Sequence, residues 1–150
     1  MSEIPVIKVL STIVLNVNSV RVKPTKLLKP PVEVNVHAMT RILRPLMLEE
    51  THLGNKVTAE TDFTLLMYLR SSSSKVKHKV LESRISFFII IEPTDELENF
   101  IEKPVDNLPD SVKKQLVTIT ANHALPLLIS LCEKHMLPLP IPIPEIKLES

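Results

Sequence analysis

Cys132 and His135 are residues of metal-ligating or nucleophilic type, and they stand three positions apart, a spacing that brings two side chains to one side of a helix. A structural zinc needs four such ligands, and the sequence has no second cysteine. The pair is therefore better read as a buried thiol beside a surface histidine. His37, His52, His78 and His123 lie on separate segments with no adjacent nucleophile, so a Cys–His catalytic pair would have to be assembled in space. The one glycine, Gly54, stands against thirteen prolines. Neither a dinucleotide fingerprint nor a phosphate-binding loop can be written without several glycines. No metal, cofactor or catalytic group is expected, and the protein is expected not to be an enzyme.

The basic run Lys75, Lys77, His78, Lys79 could touch phosphate, but it serves better as charge protecting an edge strand from aggregation. With 18 basic and 17 acidic residues the net charge is +1, too little to draw nucleic acid over a distance. Four phenylalanines and one tyrosine offer few platforms for stacking bases. A lone cysteine forbids an internal disulfide, and no charged-then-apolar secretory pattern opens the chain, which points to a cytoplasmic protein. Apolar runs such as Ile85 to Ile91 fall far short of the roughly 20 residues that cross a bilayer. No membrane insertion is expected.

The elements that must carry these residues follow from hydrophobic period. A chain of 150 residues, 44% hydrophobic and 23% charged, suits one globular domain. Ile13, Leu15 and Val17, then Val20 and Val22, predict a first strand with a change of phase, hence a bulge, near Asn18 and Ser19. Pro24 to Pro31 is a proline-bounded connection carrying Leu27 and Leu28. Val32, Val34, Val36 and Ala38 alternate with Glu33, Asn35 and His37 as a half-buried second strand. Met39 to Lys56 reads as a connection with turn chemistry near Gly54, its trio Leu46-Met47-Leu48 unexplained locally.

Val57, Ala59, Phe63, Leu65, Met67 and Leu69 line one face of a long third strand. Leu81, Ile85, Phe87, Ile89 and Ile91 line a fourth, the two forming a hairpin with Ser71 to Ser74 at its tip. Phe88 and Ile90 make the end of the fourth strand apolar on both faces, which calls for a second cover and so for self-association there. Thr94 before Asp95 and Glu96 marks a helix start, and Pro104 its end. A longer helix begins near Ser111 and should be kinked or divided at Pro126. Alternate prolines from Pro138 to Pro144 forbid helix and central strand, so Leu137, Leu139 and Ile141 should lie along the body or in a subunit contact. The fold class is α+β, a four-stranded antiparallel sheet with C-terminal helices on one face, in one domain over residues 1–150.

This order of elements resembles the SecB-like family of protein-export chaperones. Ala121-Asn122-His123-Ala124-Leu125-Pro126-Leu127-Leu128-Ile129-Ser130-Leu131-Cys132-Glu133-Lys134 looks like the family's proline-containing helix, and Leu137-Pro138-Leu139-Pro140-Ile141-Pro142-Ile143 like the segment after it. Pro31 to Val36 and Thr61 to Met67 are similar to its second and third strands. The chain departs from the pattern in its added segment from Pro93 to Pro109. It departs again in Ser86-Phe87-Phe88, where the family has glycines, and in ending with Glu145 to Ser150, where the family has a lip helix.

The resemblance implies a dimer of dimers whose apolar grooves hold non-native polypeptides, with a protein translocase as a further partner. Leu27, Leu28, Leu46, Met47, Phe87, Phe88, Leu137, Leu139 and Ile141 are the expected client-binding residues, Leu and Met being adaptable apolar contacts. Glu82 is the translocase-contacting position that matches. The alternative is a structural protein whose apolar surfaces are consumed in a fixed homo-oligomer, with no client.

Overall fold

The strongest alternation in the sequence becomes the middle of the sheet. The structure, a computed structural model, describes residues 7–21, 32–71, 76–134 and 146–149. Strand β4, Gly54–Ser71, is flanked on one side by β5, His78–Ile91, and on the other by β2, Val32–Ile42. Strand β1, Val9–Arg21, lies antiparallel outside β5. Alternate residues of a strand point to opposite faces, so Val57, Ala59, Phe63, Leu65 and Met67 share one face with their ladder partners Ile91, Ile89, Ile85, Ser83 and Leu81. All ten are buried. Each large apolar side chain so covered contributes about 1.5–3 kcal/mol.

Five antiparallel strands build the sheet, not the expected four. The additional one, β3 at Met47–Thr51, pairs with Gly54–Thr58 of β4. It continues the edge that β2 leaves at Ile42, and the backbone N–H of Leu43 bonds to the Glu60 carbonyl between them at 2.9 Å. The trio 46–48 is thereby explained: Leu46 drops into the core while Met47 and Leu48 enter the new ladder. Gly54 turns the chain with φ of 96°, a left-handed conformation that favours glycine. The Thr51 hydroxyl closes this turn, donating to the Gly54 carbonyl at 2.8 Å and accepting from the Leu53 N–H at 3.1 Å. A short strand β6, Ile146–Glu149, adds in parallel to β2, giving the order β1-β5-β4-β2-β6.

One long helix, α2 at Asp110–Lys134, lies across β4, β2 and β5. Val112, Leu116, Thr120, Ala124 and Leu128 recur every fourth residue and are buried against the sheet, the spacing that puts side chains above one another on a helix. Pro126 does not divide this helix. Proline removes the bond to the carbonyl four residues earlier; here Asn122 and Pro126 both face solvent, so water can satisfy that carbonyl. Thr94 caps the short helix α1, Asp95–Glu98, its hydroxyl accepting from the Leu97 N–H at 3.2 Å.

The added segment from Pro93 to Pro109 belongs to the same layer. Leu97 and Leu108 join the core cluster with Leu46, Val57 and Ile91, and the Glu102 N–H bonds to the Leu46 carbonyl at 2.8 Å. It covers the end of the sheet where β3 begins.

Candidate functional site

With the helix layer packed on one side, the other face of the sheet carries a set of ion pairs. On this outer face Asp62, 4% exposed, lies between Arg41 and Arg84, its Oδ2 3.3 Å from Arg41 Nη2 and 3.7 Å from Arg84 Nε. Arg44 joins Glu49 at 2.8 Å to Glu60 at 3.4 Å and donates to Thr58 Oγ1 at 3.2 Å. Thr58 in turn donates to Glu49 at 2.9 Å. Arg70 pairs with Glu33, Lys56 with Glu92 and Lys79 with Glu82. His37 meets Tyr68 edge to face, ring centroids 5.7 Å apart. These charges are paired with one another across the sheet. The expected translocase contact, Glu82, belongs to this set and borders a shallow depression with Asn18, Val20 and Arg84.

Among the described residues no group of three or more histidine, cysteine, aspartate and glutamate side chains is placed to hold a metal ion. His123 on α2 tilts over the Phe87 ring at 6.5 Å, whereas His37 lies on β2 beside Tyr68 and His52 in the turn between β3 and β4. The side chain of Cys132 and the whole of His135 lie outside the described residues.

The apolar surface that is open to solvent concentrates on β1. Ile13, Val14, Leu15, Val17 and Val20 are between 37% and 53% exposed. The register shifts in this strand fall between Val9 and Ser11 and between Val14 and Asn16, not near Asn18 and Ser19 as the sequence suggested. A bulge inserts a residue and turns the following side chains to the opposite face. Leu15 is that inserted residue. Ile13 stands opposite Phe88 on the outer face, whereas Val14 and Val17 stand opposite Phe87 and Ile85 on the helix face. The strand is thus apolar on both faces, and among the described residues none pairs with its outer edge. Alternation alone could have flagged it, because Ile13-Val14-Leu15 is a continuous apolar run.

Of the expected client-binding residues, Leu46 and Phe87 are fully buried core residues and cannot meet a client without opening the protomer. Phe87 is covered by α2, whose His123 lies over it, and Leu46 by the Pro93 to Pro109 segment. Met47 and Phe88 are half-buried. Ile90, expected to need a second cover, sits between Ser11 and Thr58 in the ladder and is already fully buried. Leu27, Leu28, Leu137, Leu139 and Ile141 lie outside the described residues.

This arrangement of sheet and helix is similar to a solved structure, the Mycobacterium tuberculosis Rv1957 SecB-like chaperone in complex with a ChAD peptide from the Rv1956 HigA1 antitoxin. The TM-score is 0.51 at 7% identity, over 89% of this chain and 85% of that chain. What the two share is the fold. No family model matches the chain, and no curated protein matches it in sequence. None of the helices among the described residues is long and apolar enough to cross a membrane.

Proposed function

We propose that this protein is a chaperone-like holdase that binds non-native polypeptides through apolar burial and main-chain hydrogen bonding, without nucleotide or chemical step. The observation that carries this reading is β1, whose exposed apolar residues Ile13, Val14, Leu15, Val17 and Val20 sit on the outermost strand of the sheet among the described residues. An edge strand offers unpaired N–H and C=O groups to an extended chain, and natural proteins normally blunt such edges with charge. The fold shared with a SecB-like chaperone that binds an antitoxin peptide supports it. The contact set is accordingly moved from Leu46 and Phe87 to β1 and its neighbour Phe88, with Met47 at the far end of the sheet.

Covering the same strand with a second copy of the chain would make it a structural interface, and this is the competing reading. Assembly into dimers or tetramers is compatible with either; the difference is whether apolar surface remains for a client. Stoichiometric protein should suppress the light scattering of a denatured protein that aggregates on dilution. The variant Leu15→Asp/Val17→Asp should hold clients about tenfold or more weakly, since two exposed apolar side chains are worth about 1–3 kcal/mol in such a contact. No suppression by the wild-type chain, together with an oligomer that this variant dissociates, would establish the structural reading instead. A translocase partner at Glu82 is a separate proposal, tested by whether Glu82→Lys abolishes binding to such a motor protein.

A further inference from the structure

The opposite edge of the sheet carries a strand that the chain supplies to itself. Strand β6 pairs in parallel with β2, Ala38 opposite Ile146, Met39 opposite Lys147, Thr40 opposite Leu148 and Arg41 opposite Glu149. It also lies beside α2. Three observations make this occupant weakly held. It covers four positions of an eleven-residue strand, and among the described residues nothing pairs with Val32–His37 on that side. It is parallel, and parallel pairing is the less stable kind per residue. Its tether to α2, residues 135–145, has prolines at 138, 140, 142 and 144, which lack the donors to extend the ladder. After Pro144 the sequence Glu-Ile-Lys-Leu-Glu-Ser is free of proline, and the described pairing lies within it, at Ile146–Glu149.

We infer that the outer edge of β2 is a strand-addition site for an extended segment of a partner polypeptide with apolar and charged residues in alternation, and that β6 is its built-in, displaceable occupant. The tail itself displays the chemistry that fits, Ile-Lys-Leu-Glu, with the two apolar positions level with the buried Ala38 and Thr40 and Glu149 level with Arg41. An incoming strand that ran along all of β2 would make more ladder bonds than β6 does, and main-chain pairing of this kind recognises extended chains largely irrespective of sequence. The inference rests on the reading of the protein as a polypeptide binder and adds a second site to it, at the edge away from β1.

The test uses the full chain and a fluorescent peptide of the sequence Glu-Ile-Lys-Leu-Glu-Ser. In the variant Lys147→Pro/Leu148→Pro the internal strand can no longer pair, and the peptide should bind at least about tenfold more tightly than to the wild type, where a tethered competitor acts at high effective concentration. Hydrogen exchange at 38–41 should be fast in the variant and slow again with peptide. Equal binding to both proteins, or none to either, would overturn the inference. If the proline pair unfolds the protein, excess peptide added to the wild type should accelerate exchange at 146–149, and unchanged exchange there would overturn it. A wild-type dimer that the proline pair dissociates would place a second copy's tail on β2 and overturn an internal occupant. Peptide binding without suppression of aggregation would leave the site standing and remove the holdase reading; suppression without peptide binding would do the reverse.

Discussion

Thr61 and Thr120 fasten the helix to the sheet. Their hydroxyl oxygens are 2.8 Å apart, fully buried, and Thr120 donates its proton to the Leu116 carbonyl at 2.7 Å, so Thr61 is the donor between the two. The chain of bonds is directional, and the two truncations should differ. Thr120→Val leaves the Thr61 hydroxyl buried without an acceptor and should cost about 1–3 kcal/mol in urea unfolding, whereas Thr61→Val leaves the Thr120 bond in place and should cost less. The double variant should be closer to Thr61→Val than to the sum of the two. Gly54 is a second residue whose role is local: a side chain there would meet nothing within 4 Å, so only its φ of 96° matters. Gly54→Ala should therefore destabilise the β3–β4 hairpin by about 1–2 kcal/mol, the cost of left-handed backbone in an L-residue, seen as a lowered urea midpoint at unchanged slope. The Asp62 cluster, by contrast, joins a buried carboxylate to arginines about half exposed, so what the arginines do is compensate a charge removed from water.

At the level of elements, β2, β4, β5 and the long helix α2 were legible because period-two and period-four apolar spacing survives wherever one face is buried and the other wet, whereas α1 was legible only at its Thr94 cap, for it ends at Glu98 and not at the expected Pro104. Ala38, Phe63, Ile85 and Leu116 are core residues that spacing alone identifies. β3 was not legible. Its five residues Met47–Thr51 follow Pro45 and include Glu49 and Glu50, so neither length nor alternation separates them from a loop; what makes them a strand is the free edge of β4 beside them. The bulge in β1 was misplaced for a related reason. A strand apolar on both faces gives no phase to read, and only the partner strand, through Val14 opposite Phe87 and Asn16 opposite Ser86, fixes the extra residue at Leu15. Pro126 was expected to kink or divide α2; the helix runs through it undivided, with Ala121, Ala124 and Leu128 buried on either side of it. Replacing Pro126 by Ala restores the missing bond, and should raise stability by up to about 3 kcal/mol, measured as a higher thermal midpoint with increased helical ellipticity.

For the whole molecule, the decisive feature is one covered face and two unequal edges. The helix layer and the Pro93 to Pro109 segment bury one side of the sheet, ion pairs populate the other, β6 covers part of one edge, and β1 leaves apolar side chains at the other. A contact made by such a strand is apolar and main-chain in character, and a net charge of +1 provides no field to steer a charged partner. Client capture, followed as suppression of light scattering, should accordingly be insensitive to added sodium chloride at moderate concentration and strengthened by sulfate, which favours apolar burial. A steep loss with salt would instead locate the contact on the ionic outer face.

The amino-acid order by itself determined the α+β class, the faces of β2, β4 and β5, the cap of α1, and the lack of glycine-built nucleotide loops, since each depends on residues within a few positions of one another. Which apolar residues are left for a partner was decided by tertiary structure. Leu46 and Phe87 look no different in sequence from Leu15 and Val17, yet the first two lie under α2 and the Pro93 to Pro109 segment while the others lie on an outer strand. Exposure depends on what stands opposite a side chain, and the covering groups lie tens of residues away along the chain, where local spacing carries no record of them.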